Sequence, residues 1–169
     1  MHKRIVQISV VFSLLTLIYS CNQQNDLVVQ PISEEFNHEY LTGGLDKNFF
    51  NTIDVTQYYQ VSNYRNLTDK QILTKLDSFA MASFPPVKFP DIQELTLLFY
   101  KKKLFVDYKD HLYESAREDE NRHLEGYSDE LLAIVTFERI KENPKKISFD
   151  RIVYNGIHHI TANDTILVQ

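Results

Sequence analysis

Polar and apolar residues alternate along this chain with two different periods, and a stretch of continuous apolarity marks its beginning. The helical period is clearest in "LTDKQILTKLDSFAMASFPP", residues 67–86. Ile72, Leu73, Leu76, Phe79 and Ala80 fall on one helical face there, while Asp69, Lys70, Lys75 and Asp77 lie mainly off it. Thr68 can cap the first turn and Gln71 can reach back to it, a capping box that satisfies otherwise orphan amides. Pro85 and Pro86 stop the pattern. The spacing predicts an amphipathic helix over about 69–83, whose apolar stripe needs a cover, most simply a sheet.

The two-residue period predicts strands elsewhere. "NFFNTIDVTQYYQVSNY", residues 48–64, is rich in aromatic and β-branched residues and holds one or two strands, after a turn at Gly43-Gly44. "DIQELTLLFYKKK", residues 91–103, carries two signals. Asp91 with Glu94 resembles a second capping box, yet "LTLLFY" bounded by lysines reads as a buried strand, and the strand is the reading adopted. Residues 105–125 are polar and charged, a strand end followed by a long loop or short helix. In "DELLAIVTFERI" Leu132, Ile134, Thr136 and Glu138 alternate with Leu131, Ala133, Val135 and Phe137. "KISFDRIVYN" follows Asn143-Pro144, and "ITANDTILVQ" closes the chain. Strands at this spacing imply an antiparallel meander, so the predicted class is α+β, with the helix packed on a mainly antiparallel sheet.

The first residues follow neither period. Met1-His2-Lys3-Arg4 is basic, and residues 5–19, "IVQISVVFSLLTLIY", are uncharged and mostly apolar before Ser20 and Cys21. A basic start, a short apolar core and a small residue before a cut describe a secretory signal over residues 1–20. The run is too short and too diluted by Gln7, Ser9, Ser13 and Thr16 to span a bilayer, which needs about 20 apolar residues. Ile18-Tyr19-Ser20-Cys21 resembles the lipobox of bacterial lipoproteins, with an aliphatic residue three before the cysteine and a small one directly before it. Tyr19 departs from the small or aliphatic residue usual there. The resemblance covers residues 1–21 and implies cleavage before Cys21, a diacylglycerol on its thiol and acylation of the new amino group. Two or more acyl chains give stable anchoring where one gives only marginal residence. It also accounts for the chain's single cysteine, since lipid would consume a thiol otherwise open to oxidation.

This address orders the rest of the chain. Residues 21–30 are expected to be a lipidated tether and 31–169 a single α+β domain. Asn22, in place of the aspartate that retains some lipoproteins at the inner membrane, favours the outer membrane. The periplasmic and surface faces stay open. With 18 basic and 23 acidic residues the chain carries −5, and loss of Lys3 and Arg4 takes it to −7. That balance argues against nucleic acid and against a basic lipid-binding patch.

Candidate chemistry is sparse. "DENRHLEGYSDE", residues 119–130, has the outline of a calcium loop, but Leu124 stands where the sharp turn needs glycine, and His123 is a poor ligand for a hard cation. His158 and His159 would point to opposite faces of a strand, so they cannot readily share a metal. No G-x-S-x-G is present, and Gly43, Gly44, Gly126 and Gly156 build no phosphate-cradling loop. No metal or cofactor is therefore expected. Tyr58, Tyr59, Tyr64, Tyr108 and Tyr113 could line a sugar or protein surface, although such residues are more often half-buried on sheet faces. The expected function is that of a lipid-anchored, non-catalytic envelope protein that binds a protein partner, as an accessory subunit or an inhibitor or immunity factor. Acidic Glu118, Asp119 and Glu120 are its candidate contacts. A small-ligand or glycan-binding lipoprotein and an envelope hydrolase are the alternatives.

Overall fold

The computed structural model describes residues 26–32, 38–42, 52–85, 92–108, 127–143, 145–156 and 159–168. Among the described residues the strands are β1 (Val28–Pro31), β2 (His38–Thr42), β3 (Thr52–Ser62), β4 (Ile92–Lys101), β5 (Leu131–Arg139), β6 (Lys146–Val153) and β7 (Ile160–Leu167), and a helix, α1 (Asp69–Ser83), comes between β3 and β4. A 3-10 turn, Ser128–Glu130, leads into β5. The described strands form one sheet in the order β1-β3-β4-β5-β6-β7, with β2 on the same edge of β3 as β1. Among the described residues every pairing is antiparallel except β3 with β4. The fold is α+β, one helix on a mainly antiparallel sheet, as the alternation implied. The boundary drawn at residues 30 and 31 falls inside β1, which is already paired with β3 from Val28.

Helix α1 has the bounds its local chemistry dictates. The Thr68 hydroxyl accepts from the Gln71 amide at 3.3 Å, and the Gln71 side chain accepts from the Thr68 amide at 2.8 Å. The Phe84 amide donates to the Ala80 carbonyl, and Pro85 follows. The helix lies over β5 and β6 and buries Ile72, Leu76 and Ala80 completely. It is also the crossover that a parallel pair such as β3–β4 requires, since a hairpin cannot join parallel strands.

Register assigns the core. Val55, Leu95, Phe137 and Phe149 form one cross-strand row on the helix side, and Tyr59, Phe99, Ala133 and Val153 form another. Phe79 of α1 meets Tyr59 and Phe99 edge-on, with centroids 5.2 and 6.0 Å apart. A β-bulge explains an apparent break in alternation. Tyr100 pairs with Leu131 and Phe99 with Ala133, so Leu132 is the extra residue. Leu132 and Ala133 therefore both join the helix-side core, while Leu131 turns to the other face.

Asn63 ends β3 with φ of 60°, a left-handed conformation that asparagine tolerates better than most residues. Its side chain donates to the Asp26 carbonyl at 3.2 Å, tying the exit of β3 to the entry of β1. The strand ends at Ser62 and Lys101 and the strand starts at Val28, Leu131 and Ile160 all gather at that end of the sheet. It is called the entry end below.

Candidate functional site

Cys21, the signal segment 1–20 and the acidic triplet Glu118, Asp119 and Glu120 lie outside the described residues, as do His158 and Tyr113. Most of the calcium-loop outline, residues 119–126, lies outside them too. The other tyrosines weighed as a platform are not brought together on one surface. Tyr59 is buried beneath α1, and Tyr64 packs against the same core. Tyr58 and Tyr108 are buried on the opposite face.

On the helix side, the alternation of β6 turns one charged residue inward. Arg151 is 6% exposed, between Asp77 of α1 at 3.5 Å and Asp164 of β7, with its guanidinium carbon 4.2 Å from the Phe149 ring centre. Burial pushes the Asp77 carboxyl above its usual range, Arg151 pulls it back down, and Asp164 pushes it up again. Among the described residues, Asp77 Oδ1 and Arg151 Nε have no hydrogen-bond partner. The cluster joins three elements at once, and it is a structural clasp rather than an exposed reactive group. Sequence reading passed over it, although "KISFDRIV" places Arg151 in step with Ile147, Phe149 and Val153.

The face away from α1 divides into two halves. Toward the far end of the sheet it is polar. Thr96, Thr136, Asp150 and Asn163 follow one another in register across four strands, and Glu94, Glu138, Ser148 and Thr165 form the next row. Thr96 donates to Glu94 at 3.0 Å, and Ser148 to Asp150 at 2.8 Å, while Asn163 donates to the other Asp150 oxygen. Glu94 and Glu138 stand directly opposite each other, an arrangement that like charges make unfavourable in isolation.

Toward the entry end the same face is aromatic and covered. Tyr58, Leu98, Tyr100, Tyr108 and Leu131 form a second buried cluster, flanked by Tyr127 and Tyr154. The Tyr108 hydroxyl donates to the Lys101 carbonyl at 2.6 Å. Its pKa is pushed up to about 12, first by burial and then by the Glu130 carboxylate. Lys102 donates to Gln30 of β1 at 3.2 Å, and Lys103 pairs with Glu130. Beyond these fixed groups the turn carries Leu104 and Phe105, 93% and 97% exposed. The sequence reading absorbed Phe105 into a polar segment and left Leu104 unremarked. The signal it passed over was two large apolar side chains in a turn, directly after three lysines.

Two open clefts flank this end, of about 580 Å³ beside Tyr154 and Asn155 and about 400 Å³ beneath Leu104 and Phe105. Among the described residues, no group of three or more His, Cys, Asp or Glu side chains is arranged to hold a metal ion. No protein-family model, curated protein or solved structure matches the chain.

Proposed function

We propose that this chain is a lipid-anchored binding protein of the bacterial envelope, held on the outer membrane through Cys21, whose folded domain engages another envelope protein. The observation that carries the reading is positional. The lipobox-like cysteine precedes Asp26 by five residues and the first strand by seven, so a very short tether joins the anchor to the sheet. A domain held this way meets its partner at raised effective concentration, and a weak interface then suffices.

The chemistry of the surface supports a basic partner. Half-buried Glu94 and Asp150 and exposed Glu138 put carboxylates on the face away from α1, at the end of the sheet remote from the tether. Glu118, Asp119 and Glu120 add to the same sign of charge. Steering by such groups weakens as salt shortens the Debye length, which is about 8 Å at physiological strength.

A crosslinking pull-down from membranes, at low and at moderate salt, tests the reading. Wild type should recover one specific protein, and a variant neutralised at Glu118, Asp119 and Glu120 should recover less of it at low salt. Identical recovery by both proteins at both salts would remove those three residues from the interface. Recovery of no specific protein would count against partner binding. Turnover of a cell-wall fragment or lipid by the purified protein would replace the binding reading with a hydrolase.

A further inference from the structure

We propose that the 101–105 turn is a membrane-contacting tip, with Leu104 and Phe105 entering the interfacial layer of the bilayer and Lys101, Lys102 and Lys103 staying at headgroup level. The proposal rests on the reading of Cys21 as a lipid anchor, and three observations carry it.

The first is exposure. Leu104 and Phe105 are 93% and 97% exposed, against 66% for Leu167 and no more than 39% for the remaining exposed large apolar side chains among the described residues. Adjacent, fully solvated Leu and Phe side chains leave an apolar surface that the fold itself does not use.

The second is position. Lys101 pairs with Val61 at the end of β3, and Val28 of β1 pairs with Ser62. The turn therefore projects from the end of the sheet at which the chain arrives from Cys21. The five residues from Cys21 to Asp26 span at most about 18 Å when fully extended. An anchored cysteine would keep Asp26, just before β1, within that distance of the lipid, and β4 runs into the turn at the same end of the sheet, two strands away.

The third is that the tip has a firm base. The Lys102 amide donates to the Val61 carbonyl at 2.8 Å, Lys102 Nζ reaches Gln30 of β1, and the buried Tyr108 hydroxyl holds the Lys101 carbonyl. An ordered base lets the apolar pair insert without first losing the freedom of a loose loop.

Charge plays the smaller part. Lys103 pairs with Glu130, Lys101 Nζ donates to the Asp129 carbonyl at 3.3 Å, and Asp107 follows in the same turn. Three lysines beside three acids leave little net attraction for anionic lipid, so contact depends on the apolar pair. The lysine stems can lie along the interface while their ammonium groups stay in water.

The chain has no tryptophan, so one substitution installs a unique reporter. Full-length, membrane-extracted F105W and E142W proteins are reconstituted into phosphatidylcholine vesicles, and separately into vesicles containing phosphatidylglycerol, each with brominated acyl chains. Glu142 lies exposed in the β5–β6 turn at the far end of the sheet. Sedimentation with the vesicles and the mass of Cys21 read the anchor, and bromine quenching reads the tip.

The expected result is co-sedimentation of both variants, with F105W emission blue-shifted and quenched at least about threefold more than E142W in both lipids, as an interfacially buried side chain requires. Co-sedimentation with equal quenching of the two, or none, overturns the tip and leaves the anchor standing. If Cys21 carries no lipid, the anchor reading fails, and quenching of F105W by added vesicles then decides the tip alone. A blue shift without bromine quenching assigns the turn to a protein contact and overturns the membrane proposal. Quenching of F105W only in phosphatidylglycerol makes the contact electrostatic, which also overturns the apolar mechanism.

Discussion

Replacing Arg151 by methionine should destabilise the domain by about 3 kcal/mol, near the lower end of the cost of breaking a buried ion pair. The size follows from its surroundings. Arg151 is 6% exposed, and the Asp77 side chain is 28% exposed, so R151M would leave a largely desolvated carboxylate without its counter-ion. Asp164 is 66% exposed and can return to water, so its own pairing contributes no more than about 1 kcal/mol. The decisive comparison is therefore the double variant R151M/D77L. Once both charges are replaced by apolar volume, stability should return to within about 1 kcal/mol of wild type, because the cost lies in the orphaned carboxylate rather than in the lost attraction. Urea unfolding followed by far-UV circular dichroism measures all three proteins.

The pH dependence gives an independent check. Burial raises the folded-state pKa of Asp77 above its unfolded value, so the native state holds the proton more tightly, and this group's contribution to stability falls as pH rises through that window. Without Arg151 the downward pull disappears, so in R151M the window extends to higher pH. The deficit of R151M against wild type should therefore be smaller near about pH 4 than near about pH 7. A deficit under about 1 kcal/mol at both pH values, or a double variant as unstable as the sum of its parts, would refute the reasoning.

Leu76→Asp should unfold the domain, since a charge would enter a fully buried site beside Ile72, at a cost of several kcal/mol, whereas Lys75→Asp should cost no more than about 1 kcal/mol. Equal denaturation midpoints for the two would reverse the assigned facing of α1. Tyr59 and Tyr108, both pushed up to about 12 chiefly by burial, should ionise well above the ordinary tyrosine value in a spectrophotometric titration. Because their folded values exceed the unfolded one, stability should fall as pH climbs from about 10 to about 12, and a single transition near 10 for every tyrosine would contradict their burial. Mass spectrometry of the membrane-extracted protein should find acylated Cys21 at the N-terminus and no residues 1–20. A soluble product cut elsewhere would sink the lipobox reading.

Local chemistry was legible in the sequence, and long-range pairing was not. The bounds of α1 follow from Thr68, Gln71 and the prolines, all within reach of the helix they delimit. β4 was harder because both of its faces are covered. Leu95, Leu97 and Phe99 face α1, while Leu98 and Tyr100 enter the second cluster, so the run is apolar with neither period dominant. The parallel pairing of β3 with β4 depends on a crossover, and alternation within a strand says nothing about its neighbour's direction. Arg151 was visible in principle, as a charge in step with core residues. Its partners on α1 and β7 were not, because they are 74 and 13 residues away in sequence. Leu104 and Phe105 show a different limit, since an exposed apolar pair and a buried one look alike in a sequence.

The edges of the sheet also bear on how copies of the chain would meet one another. One boundary of β3 is covered by two short strands, β1 and β2, of four and five residues. The opposite boundary is β7, eight residues long and, among the described residues, paired only with β6. A bare strand of that length is a template on which a second copy could add its own. Antiparallel addition of β7 to β7 would bring two Asp164 carboxylates close to the two-fold centre, and it would compete for a side chain already drawn toward Arg151. The clasp that fastens helix to sheet would thereby also keep neighbouring molecules from zipping together, a protection that would matter most under the proposed lipid anchor, which confines copies to one plane.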